Sequence, residues 1–257
     1  MQRYFINQAQ VSDAQFIFPD EMQAHHMLKV LRMKPDSCAE FVLNEQELLI
    51  AKLVSEQPLA FQIIESYERK VELPVQISVA TSFLKGEKLE WLAQKATELG
   101  ASELIISPMK RAVVKWDEKK RAKRLMRLQK IAQEASEQSH RMIVPKITIL
   151  NHLNDLLLEA AEYDLVLIAY EESAKDGEQS QFAQSLVAFK GQRILVIFGP
   201  EGGLDSQEIE KLESVGKLVG LGPRIMRAET APLYVLSVLS FYFELYKGGG
   251  QLERDFD

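Results

Sequence analysis

Phe198-Gly199-Pro200-Glu201-Gly202-Gly203 closes an apolar run that starts at Arg193. Leu221-Gly222-Pro223-Arg224-Ile225-Met226-Arg227-Ala228-Glu229-Thr230-Ala231 closes a second run that starts at Lys217. Each loop leaves a strand-like segment and enters a helical pattern. Loops at the C-terminal ends of neighbouring strands are where an open α/β sheet holds its ligand, so these segments set both the fold class and the place of the site. Their spacing is neither the G-x-G-x-x-G of a dinucleotide fold nor the G-x-x-x-x-G-K-[ST] of a phosphate loop. A Gly-Gly pair is also what a tight strand-to-helix turn needs. Glu201, between glycines, disfavours phosphate and favours a ligand with cationic or hydrogen-donating groups. Thr230 is predicted to cap the following helix, with Pro232 in its first turn. Capping does not account for Arg227 and Glu229 beside it.

Outward from these loops, strands and helices alternate. Val75 to Thr81, Glu103 to Ser107, Asp164 to Tyr170 and Arg193 to Phe198 read as strands. Lys85 to Leu99, Asp117 to Glu137, Gln179 to Phe189 and Asp205 to Val215 read as helices, from apolar residues at helical spacing such as Leu89, Leu92, Ala93 and Ala96. Asp205 with Glu208 forms a capping-box start. This alternation predicts a mainly parallel sheet with helices on both faces. Residues 1–72 differ: short β-type runs (Arg3 to Ile6, Ala39 to Leu43, Glu47 to Val54, Phe61 to Ser66) and one helical piece, Asp20 to Val30, predict a small β-rich domain. The charged stretch Glu68 to Pro74 reads as a linker to residues 73–257. Ala231 to Tyr246 is apolar nearly all round, which predicts a helix buried on all sides, either as central core or as a subunit interface.

Composition narrows the function. A single cysteine, Cys38, excludes a disulfide framework and a cysteine zinc cluster, and suits a reducing compartment. His25 and His26 are adjacent and point apart on a helix, so no metal site is expected. The first twenty residues lack a basic stretch followed by an apolar core, and the longest apolar run falls short of the ~20 residues that span a bilayer; a soluble, cytoplasmic protein with no membrane partner is expected. The net charge is −6, yet residues 110–146 hold twelve basic and four acidic residues, a local +8 against −14 elsewhere. Such asymmetry predicts a face for a polyanion on an acidic body. Trp116 in that stretch either stacks on a base or packs the helix start, and His140 either caps the helix or touches nucleic acid.

The chain resembles the ribosomal RNA small subunit methyltransferase E family of the SPOUT (trefoil-knot) superfamily. The resemblance rests on Arg3-Tyr4-Phe5, on His25 to Arg32, on Lys85 to Trp91 continuing through Lys95 to Gly100, on Arg111 to Lys115, on Glu134 to Arg141, and on both C-terminal loops. Met226 stands where the family usually has Leu, and Ala228 where it has a hydroxyl residue. The resemblance implies an α/β fold: a PUA-like β-barrel domain over 1–72 that helps hold RNA, then a knotted SPOUT methyltransferase domain over 73–257. It implies S-adenosylmethionine as cofactor, held by Phe198, Gly199, Pro200, Glu201, Gly202, Leu221, Gly222, Ile225, Met226, Thr230 and Ala231. It implies methyl transfer to N3 of a uridine in 16S rRNA of the small ribosomal subunit, with Arg227 and Glu229 as catalytic residues, Glu229 orienting Arg227 or accepting the proton. Arg3, His25, Arg32, Arg111, Lys115, Lys119, Arg124 and Arg141 are the expected RNA contacts, and a homodimer through the last helix is expected. A methyltransferase of the same fold acting on another RNA, and a non-catalytic ribosome assembly factor, are the alternatives.

Overall fold

The computed structural model of the protein describes residues 1–12, 15–171 and 181–247. It forms two compact units, Met1–Glu72 together with Ser136–Val144, and Leu73–Ala135 together with Pro145 onward.

The second unit is built on six parallel strands: β6 (Gln76–Thr81), β7 (Glu103–Ile106), β8 (Lys146–Ile149), β9 (Leu165–Ala169), β10 (Arg193–Phe198) and β11 (Lys217–Val219), in the order β11-β9-β10-β6-β7-β8. Helices α2 (Lys88–Glu98), α3 (Glu118–Gln138), α4 (Leu153–Ala160), α5 (Gln181–Ala188), α6 (Ser206–Glu213) and α7 (Ala231–Ser240) alternate with the strands. β10 is buried from Ile194 to Phe198 without a break, as a strand covered on both faces must be. Leu195 and Ile197 pack with Leu156, Ala160 and Leu212 of α4 and α6. Because strand side chains alternate, Ile194 and Val196 face the other way, toward the side where α7 packs on β10 and α2 on α7. β10 and β11 are not neighbours: β9 lies between them and pairs with both, through Ile194↔Leu165 and Lys217↔Leu167. The expectation of two adjacent loops is corrected accordingly.

Other boundaries moved for local reasons. Helix α2 starts at Lys88 rather than Lys85, because Gly86 takes a left-handed conformation (φ +69°) that keeps Lys85 to Glu87 in a turn. β8 and α4 were not predicted; four and eight residues are too short for a periodic pattern to stand out. The predicted start of α5 at Gln179 lies outside the described residues. The last helix is one-sided in this chain. Pro232, Val235, Leu236, Leu239 and Phe243 are buried, but Tyr234, Phe241, Leu245 and Tyr246 are exposed. Its final turn, Phe241–Tyr246, is a wider π turn. Thr230 occupies the cap position in helical geometry with no side-chain cap bond, which corrects the capping expectation; Pro232 does sit in the first turn.

The first unit is a five-stranded sheet, order β1-β3-β4-β5-β2, of Arg3–Ile6, Cys38–Leu43, Glu47–Glu56, Leu59–Tyr67 and Phe16–Ile17. Helix α1 (Glu21–His25), capped by Asp20 and Gln23, runs into a π turn, His26–Val30. The sheet closes over Tyr4, Ile17, Met27, Phe41 and Phe61. Residues 136–144 return to this unit through charge. Arg3 is fully buried; its guanidinium donates to Glu40 at 2.7 and 2.9 Å and to the carbonyls of His140 and Arg141. His140, at φ +56°, sets Nδ1 3.0 Å from the same Glu40 oxygen. Glu72 accepts from the Arg141 guanidinium and from the Met142 and Ile143 amides. Burial alone would raise the Glu40 carboxyl, but Arg3 and His140 hold it below its ordinary value of 4.5.

Removing one partner of a buried pair leaves a charge stranded, so Arg3→Ala should lower unfolding free energy in urea by about 3–5 kcal/mol. A folded-state carboxyl held low contributes stability that is complete above its unfolded value and lost as pH falls through the folded one. Wild-type urea midpoints should therefore decline as pH drops below 4.5, and Arg3→Ala should flatten that decline.

Candidate active site

A cleft of about 870 Å³ opens at the C-terminal ends of β9, β10 and β11. Three loops wall it: Tyr170 and Glu171 after β9, Phe198 to Leu204 after β10, and Leu221 to Ala231 after β11. Phe198, Gly199, Pro200, Glu201, Gly202, Leu221, Gly222, Ile225, Met226 and Ala231 all line it, as do Arg227 and Glu229; Thr230 does not. Leu204, Ile209 and Ala169 supply apolar wall, Arg111 lines it from the segment before α3, and Lys88 from the start of α2.

The first loop is held on both sides. The Gly203 amide donates to the Pro200 carbonyl at 2.9 Å, closing the turn. A Cβ on Gly202 would stand 3.0 Å from both the Cβ and the carbonyl oxygen of Arg111, so any side chain there requires the Arg111 segment to give by a few tenths of an ångström. Arg111 Nη1 reaches the Gly202 carbonyl at 3.4 Å. The capping box of α6 adds a second tie: Glu208 accepts from the Asp205 amide at 2.9 Å and, through its other oxygen, from the Lys110 amide at 2.7 Å. In the second loop Gly222 adopts φ +100°, and a Cβ there would meet nothing within 4 Å. That glycine is required by backbone conformation rather than by space. The Arg227 carbonyl accepts from the Thr230 and Ala231 amides at 2.8 and 3.0 Å, turning the chain into α7.

Lys88, the first residue of α2, joins the two loops. Its Nζ lies 3.4 Å from Glu201 Oε1 and 3.2 Å from Glu229 Oε2. Glu201 also accepts from the Lys85 amide at 3.2 Å. Burial works against the Lys88 charge, yet Glu229 and Glu201 hold its ammonium above its ordinary value of 10.5. Burial would raise Glu201, but its own amide, that of Lys85 and the Lys88 ammonium hold it below 4.5. Glu229 thus faces Lys88, while the Arg227 side chain is exposed at the rim.

A family model for an RNA methyltransferase domain matches residues 71–240. Ribosomal RNA small subunit methyltransferase E of Bacillus subtilis (strain 168) is 41% identical over 256 residues, covering 96% of this chain and 99% of the relative. The chain belongs to the ribosomal RNA small subunit methyltransferase E family. A second member, from Mesomycoplasma hyopneumoniae (strain 232), is 29% identical and covers 92% of this chain and 98% of its own. The crystal structure of the methyltransferase E of Neisseria gonorrhoeae, bound to S-adenosyl methionine, superposes with a TM-score of 0.81 at 25% identity, over 95% of this chain and 98% of that one.

For this member of the methyltransferase E family, several expected RNA contacts are taken up inside the protein. Arg3 and Arg141 are buried in the Glu40 and Glu72 pairs and present no charge to solvent, which corrects their reading. Arg124 is bound to Glu90 at 2.6 Å and lies over the Trp116 ring. Trp116 itself is buried against Phe83, with ring centroids 4.6 Å apart, so it packs the helix start rather than offering a stacking face. His25 and Arg32 in the first unit, and Arg111, Lys115 and Lys119 in the second, are exposed. Among the described residues, no group of three or more His, Cys, Asp or Glu side chains is placed to hold a metal ion. Lys88 was missed as a site residue. Its signal was a lysine opening a helix just after Gly86, where the helix dipole favours acids instead.

The two glycines should fail differently. Gly222→Ala is expected to cost about 1–3 kcal/mol of backbone strain without a clash, read as a lower melting temperature. Gly202→Ala should instead push the Arg111 loop outward and weaken calorimetric binding of S-adenosylmethionine at nearly unchanged melting temperature.

Proposed function

We propose that this chain transfers a methyl group from S-adenosylmethionine to N3 of a uridine in 16S rRNA of the small ribosomal subunit. Methylation of small-subunit rRNA with S-adenosylmethionine is the activity of its family; N3, the uridine and the residue roles are our reading. The observation that carries the reading is the cleft at the ends of β9, β10 and β11, with an exposed arginine, Arg227, at its rim.

The residues present suit the cofactor. The cleft combines apolar side chains of Phe198, Leu204, Ile209, Leu221 and Ile225 with the open backbone of Gly222, as an adenine in an apolar slot requires. Leu221, Gly222, Ile225 and Met226 would hold the adenine through backbone groups, and Gly199, Glu201 and Gly202 the ribose or the methionine part. When bound, S-adenosylmethionine supplies an activated methyl group on a sulfonium. The protein's task is then the nucleophile. Uracil N3 carries a proton and attacks poorly, so loss of that proton and stabilisation of the resulting anion are needed. On this reading Arg227 stabilises that anion, a role supported by its exposure beside the cleft and by its having no ion pair among the described residues. Glu229 is held by Lys88, which favours an organising role for it over pairing with Arg227. Because N3 lies on the Watson–Crick edge, the base must be unpaired or flipped out.

The first unit is read as a PUA-like domain that contacts RNA through His25 and Arg32, and the loops after β10 and β11 as strands of a trefoil knot. Interposition of β9 between those strands supports the second point. A homodimer through α7 is supported by the exposed Tyr234, Phe241, Leu245 and Tyr246, a surface that water does not favour.

Labelled-methyl transfer to small subunits lacking the modification, followed by nucleoside analysis, should yield N3-methyluridine; any other methylated nucleoside overturns the assignment. Arg227→Ala should lower single-turnover methylation by roughly 100-fold, the scale of losing one charge-stabilising group, with cofactor binding retained. RNA affinity should fall with salt, and Lys115→Ala with Lys119→Ala should reduce the log–log slope by about 1.4, at ~0.7 per single-strand phosphate contact.

A further inference from the structure

Lys88 sits where a cation is least expected. It is the first residue of α2, and the aligned peptide dipoles place partial positive charge at that end. Its side chain is about one-third exposed, and what burial it has opposes its charge. The one acid in the first turn of α2, Glu90, stands two residues on, where it does not face Lys88, and is taken by Arg124 and Arg127 at 2.6 and 3.2 Å. What remains to Lys88 is a pair of carboxylates from two different loops, Glu201 at 3.4 Å and Glu229 at 3.2 Å. No ion pair joins those loops directly among the described residues.

We infer that Lys88 is a positioning residue for methyl transfer: it pins the loop after β10 to the loop after β11, and so fixes where Arg227 stands. The inference rests on the methyltransferase reading for what the loops hold. The geometry makes the pin asymmetric. Glu201 keeps a second tie, to the Lys85 amide, whereas Lys88 is the only ion-pair partner of Glu229 among the described residues. The Glu229 side chain is only 13% exposed, so without the ammonium its charge would be left without compensation in a nearly closed space. The loop after β11, which carries Arg227 two residues earlier, therefore depends on Lys88 more than the first loop does.

The test compares full-length wild type with Lys88→Met and Lys88→Arg, using Lys88→Gln if the methionine variant does not fold. Amide hydrogen exchange of the cofactor-free protein is the first readout. Lys88→Met should speed exchange in residues 221–231 by at least about tenfold, and in 199–204 by less, with β6 and β10 unchanged, since local opening reports local stability. The calorimetric dissociation constant for S-adenosylmethionine should rise about tenfold, the scale of one lost interaction with a charged group. Single-turnover methylation at saturating cofactor should fall roughly 100-fold, as for a displacement of about 1 Å at a reacting group. Lys88→Arg should recover most of both. Unchanged exchange in the second loop, or a lower melting temperature with normal turnover of the folded protein, overturns the inference. Failure of the wild type to methylate rRNA overturns the functional reading instead, and leaves the exchange result to decide the pin.

Discussion

The pairing of β9 with both β10 and β11 governs the site. Three parallel strands in that order send three consecutive loops out of the same edge of the sheet. Their positions follow from hydrogen-bond register and from burial of β10 on both faces, and not from the loops' own sequences. A parallel sheet leaves its C-terminal edge open to ligand, and here that edge is lined by glycine and proline backbone together with charged side chains such as Lys88, Glu201, Arg227 and Glu229. The cleft therefore owes its position to the buried sheet beneath it.

Charge is used in two opposite ways. Inside the first unit, Arg3, Glu40, His140, Arg141 and Glu72 form a buried network that holds residues 136–144. Paired ions of this kind add little net stability relative to apolar packing, but a broken pair is severe; their effect is to make one arrangement of that segment far better than others. On α3 and the loop before it the opposite holds. Lys115, Lys119 and Lys123 stand in solvent without an ion pair among the described residues, and exposed charge of one sign attracts a polyanion by counterion release. The local excess of +8 is thus partly structural, since Arg121, Arg124 and Arg141 are engaged within the protein.

Most of the α/β alternation was legible because helices and buried strands leave periodic apolar patterns, as in Leu89, Leu92, Ala93 and Ala96. β8 and α4 left too short a pattern. The two loops were legible because glycine and proline mark backbone that helices and strands cannot supply. Arg3 and Arg141 were misread because a basic residue looks alike in sequence whether it meets phosphate or a buried carboxylate 37 or 69 residues away. Thr230 was misread as a cap for a similar reason: a residue type that can cap does so only if its backbone leaves the helical region, and Thr230 stays in it.

By itself the sequence determined the fold class, the cleft loops and the family, because local propensity, turn chemistry and motif order are written residue by residue. Only the tertiary structure decided that β9 separates β10 from β11 and that Lys88 stands between Glu201 and Glu229. It also decided which arginines are spent inside the protein. Each of these depends on residues distant along the chain meeting in space, and such meetings are set by sheet register and packing, which leave no periodic mark in the sequence.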